Sequence, residues 1–80
     1  MFFAYVIQSC KDSTFYKGHC EDLEKRLLQH NSGMTKSIKS KLPFKLVYHE
    51  VFEKLEDAIK REKYFKTAAG RRFLKQKLAS

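Results

Sequence analysis

The sequence predicts an α+β fold: a small three-stranded antiparallel sheet flanked by helices, in the order ββαβαα. Two short runs of aromatic and β-branched residues separated by a polar turn predict a β-hairpin. A third run of strand composition follows the longest loop, and three segments have apolar residues at helical spacing. Eighty residues make one domain, 1–80, with a thin core.

Phe2-Phe3-Ala4-Tyr5-Val6-Ile7 opens the first strand, near residues 2 to 9. Lys11-Asp12-Ser13-Thr14 forms the turn, and Phe15-Tyr16 lies in the second strand, near 14 to 19, which Gly18 closes. Asp22 is placed to cap a helix near 22 to 32, with Glu24 in the first turn where the helix dipole favours an acid. Gly33 follows as its C-terminal stop. Ser32 to Pro43 is a polar loop rich in Lys and Ser, and Phe44 to Phe52 has strand composition. Helices fit Leu55 to Lys66 and Ala68 to Leu78, although Gly70 weakens the first turn of the last one.

Charge is unevenly placed. Residues 1–59 carry a net charge of +1 and residues 60–80 a net +7, out of +8 in total. A basic segment of this kind favours a polyanionic partner, because Lys and Arg near phosphates release condensed counterions. Nucleic acid leads, with DNA ahead of RNA, over an anionic membrane surface. The opening apolar run is too short to span a membrane and has no basic residue before it, so neither an anchor nor a signal peptide is expected. Cys10 and Cys20 are too few for a disulfide scaffold, and His19 beside Cys20 lacks zinc-ligand spacing. A cytoplasmic setting follows, with no membrane partner and no small-molecule cofactor.

Two helices carry polar residues among their apolar positions. With Leu23 set at zero on a helical wheel, Leu27 falls at about 40°, Arg26 at about 300° and His30 at about 340°. Arg26 and His30 are four residues apart and stack on one face. Either they act together on a ligand, or they are an arginine at the core edge and a hydrogen-bonded histidine. In the second helix Glu62 falls among Leu55, Ala58, Ile59 and Phe65, so its carboxylate faces the sheet. Its partner is a metal, Arg26 or a local lysine, since a half-buried carboxylate without one is costly. Both helices are expected to aim these groups at a sheet carrying Tyr5 and Tyr16. Such a set suits phosphate chemistry: guanidinium for phosphate oxygens, carboxylate for a hard cation, phenol or imidazole for a proton.

The spacing of Tyr5, Tyr16, Gly18, Arg26, His30 and Glu62 resembles the GIY-YIG nuclease domain. The small stand-alone bacterial members of that superfamily, similar to the N-terminal nuclease domain of a bacterial excinuclease, are the nearest likeness. They carry stretches similar to Asp22-Leu23-Glu24-Lys25-Arg26-Leu27 through His30-Asn31-Ser32-Gly33, to Lys45-Leu46-Val47-Tyr48 and to Lys60-Arg61-Glu62-Lys63. The likeness covers about residues 2 to 66. The first signature reads Phe3-Ala4-Tyr5, without its glycine, and the second Tyr16-Lys17-Gly18, with Lys in an apolar position. No Asn follows Asn31, where many family nucleases carry one near the domain's end.

The resemblance implies a DNA endonuclease, a hydrolase of the type found in DNA repair, using one Mg²⁺ or Mn²⁺ ion held by Glu62. Arg26 would stabilise the scissile phosphate, while Tyr5, Tyr16 and His30 activate or position water and Gly18 is structural. Which tyrosine is the base stays open, since a phenol of pKa ~10 needs a neighbouring cation, with Lys17 one candidate. Lys17, Lys36, Lys39, Lys41, Lys63, Lys66, Arg71, Arg72, Lys75 and Lys77 are the expected nucleic-acid contacts. With no room for a targeting domain, specificity would come from nucleic-acid shape or a protein partner. The competing reading is a non-catalytic nucleic-acid-binding module that keeps the fold.

Overall fold

The computed structural model describes residues 1–33 and 40–79. Its elements are β1 (Phe2–Ser9), β2 (Phe15–Cys20), α1 (Leu23–Asn31), β3 (Phe44–Phe52), α2 (Leu55–Phe65) and α3 (Ala68–Leu78). The expected ββαβαα order is therefore present, and every strand pair is antiparallel. The sheet order is β2-β1-β3. The most apolar strand takes the centre, where Ala4, Tyr5, Val6 and Ile7 are all buried, as a strand covered on both faces requires.

Alternation along β1 divides the domain into two layers. Tyr5, Ile7 and Phe44 pack with Leu23 and Leu27 of α1 on one face. Ala4 and Val6 pack with Phe65 of α2 and Leu74 of α3 on the other. Pairing extends this division to the edge strand: Tyr16 opposite Ile7 and Gly18 opposite Tyr5 share the α1 face, whereas Lys17 opposite Val6 and His19 opposite Ala4 share the α2/α3 face.

Local chemistry fixes the helix ends. Asp22 caps α1 by accepting from the Lys25 amide at 3.1 Å, and Gly33 follows the helix with a φ of 82°, a left-handed conformation that suits glycine. The Asn31 side-chain amide then ties α1 to β3, donating to the Phe44 carbonyl at 3.0 Å and accepting from its N–H at 2.7 Å. Thr67 caps α3, accepting from the Gly70 amide at 3.0 Å. A Cβ at Gly70 would collide with the Tyr64 carbonyl, so the residue that weakens the first turn of α3 is what lets it cross closely over the end of α2.

Candidate active site

On the α1 face, Tyr5, Tyr16, Arg26 and His30 come together. The Tyr5 hydroxyl lies 2.8 Å from His30 Nε2, and the Arg26 Nε–H is directed at the same hydroxyl over a long 3.5 Å. The Tyr16 ring meets the His30 ring edge to face, with centroids 5.3 Å apart. Arg26 also donates from Nη1 to Gln29 Oε1 at 3.2 Å. These two bonds leave most of its five N–H donors for an anion. The guanidinium borders an open cleft of about 470 Å³ with Cys20, Glu21, Asp22, Lys25 and Gln29.

Burial sets the protonation of Tyr5 and His30. It pushes the Tyr5 phenol above its ordinary value, outweighing the neighbouring Arg26 charge. Burial and then Arg26 push His30 below the ordinary imidazole value. At neutral pH Tyr5 therefore keeps its proton and His30 is neutral. A hydroxyl that accepts from the guanidinium still has its own proton to give the imidazole. The cation beside a tyrosine is Arg26, not Lys17, because Lys17 lies on the opposite face of the sheet from Tyr5 and Tyr16.

Glu62 is carried by α2, which packs on the other face of the sheet from α1. It projects from α2 towards β2, where its Oε1 lies 2.6 Å from His19 Nδ1 and its Oε2 accepts from Lys66 Nζ at 2.8 Å. Its side chain is only 17% exposed, in keeping with a sheet-facing carboxylate. Burial raises its pKa, but the bonds from Lys66 and His19 outweigh this and hold the carboxyl below its ordinary value. Its partners are thus the local lysine and a histidine, and not Arg26.

The single convergent cluster expected from the helical wheels is two half-sites, because α1 and α2 cover opposite faces of the sheet. Both half-sites adjoin edge strand β2. Gly18 faces α1 beneath the Tyr5 phenol, where a Cβ would overlap both the hydroxyl and the ring carbon bearing it. The next residue, His19, faces Glu62. The sequence offered His19 only as a ligand type beside Cys20, without its place next to Glu62, and did not offer Gln29 at all. The parity of Tyr16 and Gly18 was the available signal for His19, but it needed the knowledge that α2 covers the other face.

The basic residues divide by their partners. Lys66 is tied to Glu62, and Lys41 lies 3.8 Å from Asp12. Arg61 grips Glu50 with two bonds of 2.9 and 3.1 Å and lies over the rings of Tyr64, Phe65 and Phe73. It therefore belongs to the packing and not to the basic surface expected of residues 60–80. The Lys77 ammonium lies 5.8 Å from the centroid of Phe73. Lys63, Arg71, Arg72 and Lys75 are all exposed. Lys36 and Lys39 lie outside the described residues.

A three-stranded antiparallel sheet with one helix on one face and two on the other, its candidate polar residues gathered along one edge strand, defines a compact α+β class. The chain belongs to the GIY-YIG family, whose catalytic domain matches residues 1–77. It is 39% identical over 74 residues to the UPF0213 protein SSP2268 of Staphylococcus saprophyticus, covering 91% of this chain and 89% of that protein. It is 44% identical over 79 residues to the UPF0213 protein YsiG of Lactococcus lactis, covering 98% and 72%. The solution NMR structure of the UPF0213 protein BH0048 from Bacillus halodurans is similar in fold, with a TM-score of 0.53 and 29% identity over 92% of this chain and 82% of that one. No helix among the described residues is long and apolar enough to cross a membrane.

Proposed function

We propose that this chain is a divalent-metal-dependent endonuclease that hydrolyses phosphodiester bonds in DNA, selecting its substrate by nucleic-acid shape or through a protein partner. The observation that carries the reading is the Glu62 carboxylate, held ionised at a sheet edge within a GIY-YIG catalytic domain. A carboxylate has about four acceptor positions, and His19 and Lys66 occupy two. The remaining positions suit one Mg²⁺ or Mn²⁺, ions that commonly use one or two protein carboxylates. When bound, such an ion would polarise the phosphate and lower the pKa of a coordinated water.

The chain's own residues supply the rest. Arg26 offers its remaining N–H donors to the phosphate oxygens from the open cleft beside α1. Tyr5 is 2% exposed and retains its proton, so it positions Arg26 and His30 and does not act as the base. His30 is fully buried and orients the Tyr16 ring. Tyr16 is only half-buried and its hydroxyl has no hydrogen-bond partner among the described residues, which leaves it the tyrosine able to touch water or substrate.

One observation favours the binding-module reading: each Glu62 oxygen already has a partner within the fold, His19 for Oε1 and the Lys66 ammonium for Oε2, as a structural carboxylate would. Cleavage of single-stranded, duplex and branched DNA with Mg²⁺, Mn²⁺ or chelator decides between them. The enzyme reading expects metal-dependent products from the wild type and none from Glu62→Ala. Equal cleavage by both proteins would remove the metal role from Glu62, and absence of cleavage under every condition would favour the binding module.

A further inference from the structure

Phe15, Lys17 and His19 alternate along β2 onto the face covered by α2 and α3, about 7 Å apart in turn. The last of them contacts Glu62, so the other two continue away from the candidate metal carboxylate along the same edge. Beside them β2 and α3 enclose an open groove of about 520 Å³ lined by Phe15, Lys17, Arg71, Leu74, Lys75 and Leu78. We propose that this groove holds an unpaired stretch of the DNA strand, with a base stacked on Phe15 and flanking phosphates on Lys17, Arg71 and Lys75. The proposal rests on DNA being the substrate and adds to it a single-stranded segment beside the cut.

The charge of the groove calls for an anion. Among the described residues no carboxylate pairs with Lys17, Arg71 or Lys75. Lys17 is held below its ordinary pKa first by burial and then by the charges of Arg71 and Lys66. Cations gathered this closely repel one another until an anion lies between them.

The apolar part of the groove calls for a base. Phe15 is 44% exposed although it is a large aromatic on a strand, and the floor is Leu74 and Leu78. The bases of a duplex are stacked inside it and present phosphates outward, so a duplex could satisfy the cations but not cover this floor. An unpaired base has a free π-face, and alternating aromatic and cationic side chains along a groove are how single strands are held. An acidic peptide could meet the cations, but it has no need of an aromatic platform.

The test is fluorescence anisotropy in chelator, where no turnover occurs, using labelled oligothymidylate and a blunt duplex. Phe15→Leu, which keeps the apolar bulk and loses the ring, should weaken oligothymidylate binding roughly 5- to 100-fold, as loss of one stacked base does. Duplex affinity should stay within about twofold of wild type on the same grounds, and Phe15→Trp should restore the single-strand affinity. Lys17→Gln, at a separate position, should weaken both probes. Failure of wild type to bind oligothymidylate, or an equal effect of Phe15→Leu on both probes, would overturn the proposal. Because the readout is binding without metal, it stands or falls separately from cleavage.

Discussion

The Tyr5 phenol and Gly18 share one volume: a single methyl group at Gly18 would overlap the tyrosine's hydroxyl and ring carbon. The two residues face each other across paired strands, and the bond from Tyr5 to His30 at 2.8 Å holds the ring in place. Gly18→Ala should therefore cost about 1 to 3 kcal/mol, the usual range for overpacking a filled core. Thermal unfolding followed by circular dichroism measures it. Adding Tyr5→Phe should not restore stability, since the ring carbon overlaps as well. A rescued melting temperature in that double variant would show that the hydroxyl alone makes the conflict.

The two tyrosines should separate in kinetics and stability. Tyr5→Phe removes the hydrogen bonds to His30 and Arg26, and should lower stability by about 1 to 3 kcal/mol through the buried imidazole it leaves without its phenol partner. Tyr16→Phe removes a hydroxyl without a partner among the described residues, so unfolding should be unchanged while cleavage falls about 10²- to 10⁴-fold if this phenol assists proton transfer. Equal cleavage by Tyr16→Phe and wild type would leave the tyrosine base unassigned to this position.

Acid should act on the fold first through His30. Burial, and then the Arg26 charge, hold this imidazole below its ordinary value of 6.5. The unfolded chain therefore takes up a proton near pH 6.5 that the folded protein does not. Stability from His30 is complete above that pH and falls as the pH drops towards the folded-state value, by at most about 1.4 kcal/mol per pH unit. Glu62 acts lower. Its carboxyl is held below 4.5, so its contribution is present above that value and is lost as the pH falls through the folded-state pKa. Denaturant titrations at stepped pH should show a flatter curve just below pH 6.5 for His30→Gln than for wild type. An unaltered slope there would assign the proton uptake to another group.

The elements of the fold were legible because each rests on local chemistry. The strand runs at Phe2, Phe15 and Phe44, the cap at Asp22 and the stop at Gly33 all act within a few residues of themselves. What the sequence could not supply was the side of the sheet that each helix covers. A wheel shows that Arg26 and Glu62 face a sheet, and both do, but it does not say whether they face it from the same side. That single fact separates Tyr5, Tyr16, Arg26 and His30 from Glu62 and brings His19 to Glu62, whereas strand alternation alone puts Lys17 on the face away from Tyr16. The role of Arg61 was hidden for the same reason. Its partner Glu50 is 11 residues away on β3 and the Phe73 ring is on α3, so only the packed tertiary structure distinguishes it from its basic neighbours.

Arg26 and Glu62 should fail in different ways. Arg26→Ala removes donors aimed at the open cleft, and should cost roughly 3 to 4 kcal/mol of transition-state stabilisation, as loss of other preorganised charge stabilisers does. Glu62→Ala should instead abolish the response to added Mg²⁺ or Mn²⁺ while leaving DNA affinity in chelator largely intact. Single-turnover cleavage across a metal titration measures both effects. Identical metal-response curves for the two variants would mean that the half-sites do not divide the work in this way.

Arg61 and Arg71 should separate packing from nucleic-acid contact. Arg61 is bound to Glu50 and lies over three aromatic rings, whereas Arg71 is exposed beside Lys17. Arg61→Gln should lower stability by about 1 to 3 kcal/mol, because it leaves the half-buried Glu50 without its cation, and should not alter the salt dependence of DNA binding. Arg71→Gln should do the reverse, keeping stability and reducing the slope of log K against log salt by about 0.9. With Arg61 and Lys66 already engaged, Lys17, Arg71, Arg72 and Lys75 are the cations best placed for phosphates. About four contacts imply a wild-type slope near −4 on duplex DNA, rounded from −0.9 for each. Replacing Arg71, Arg72, Lys75 and Lys77 together by Gln should flatten that slope by roughly 2 to 3 units and weaken binding to every sequence alike, because phosphate contacts do not read bases. An unchanged slope in the quadruple variant would move the nucleic acid away from α3 altogether.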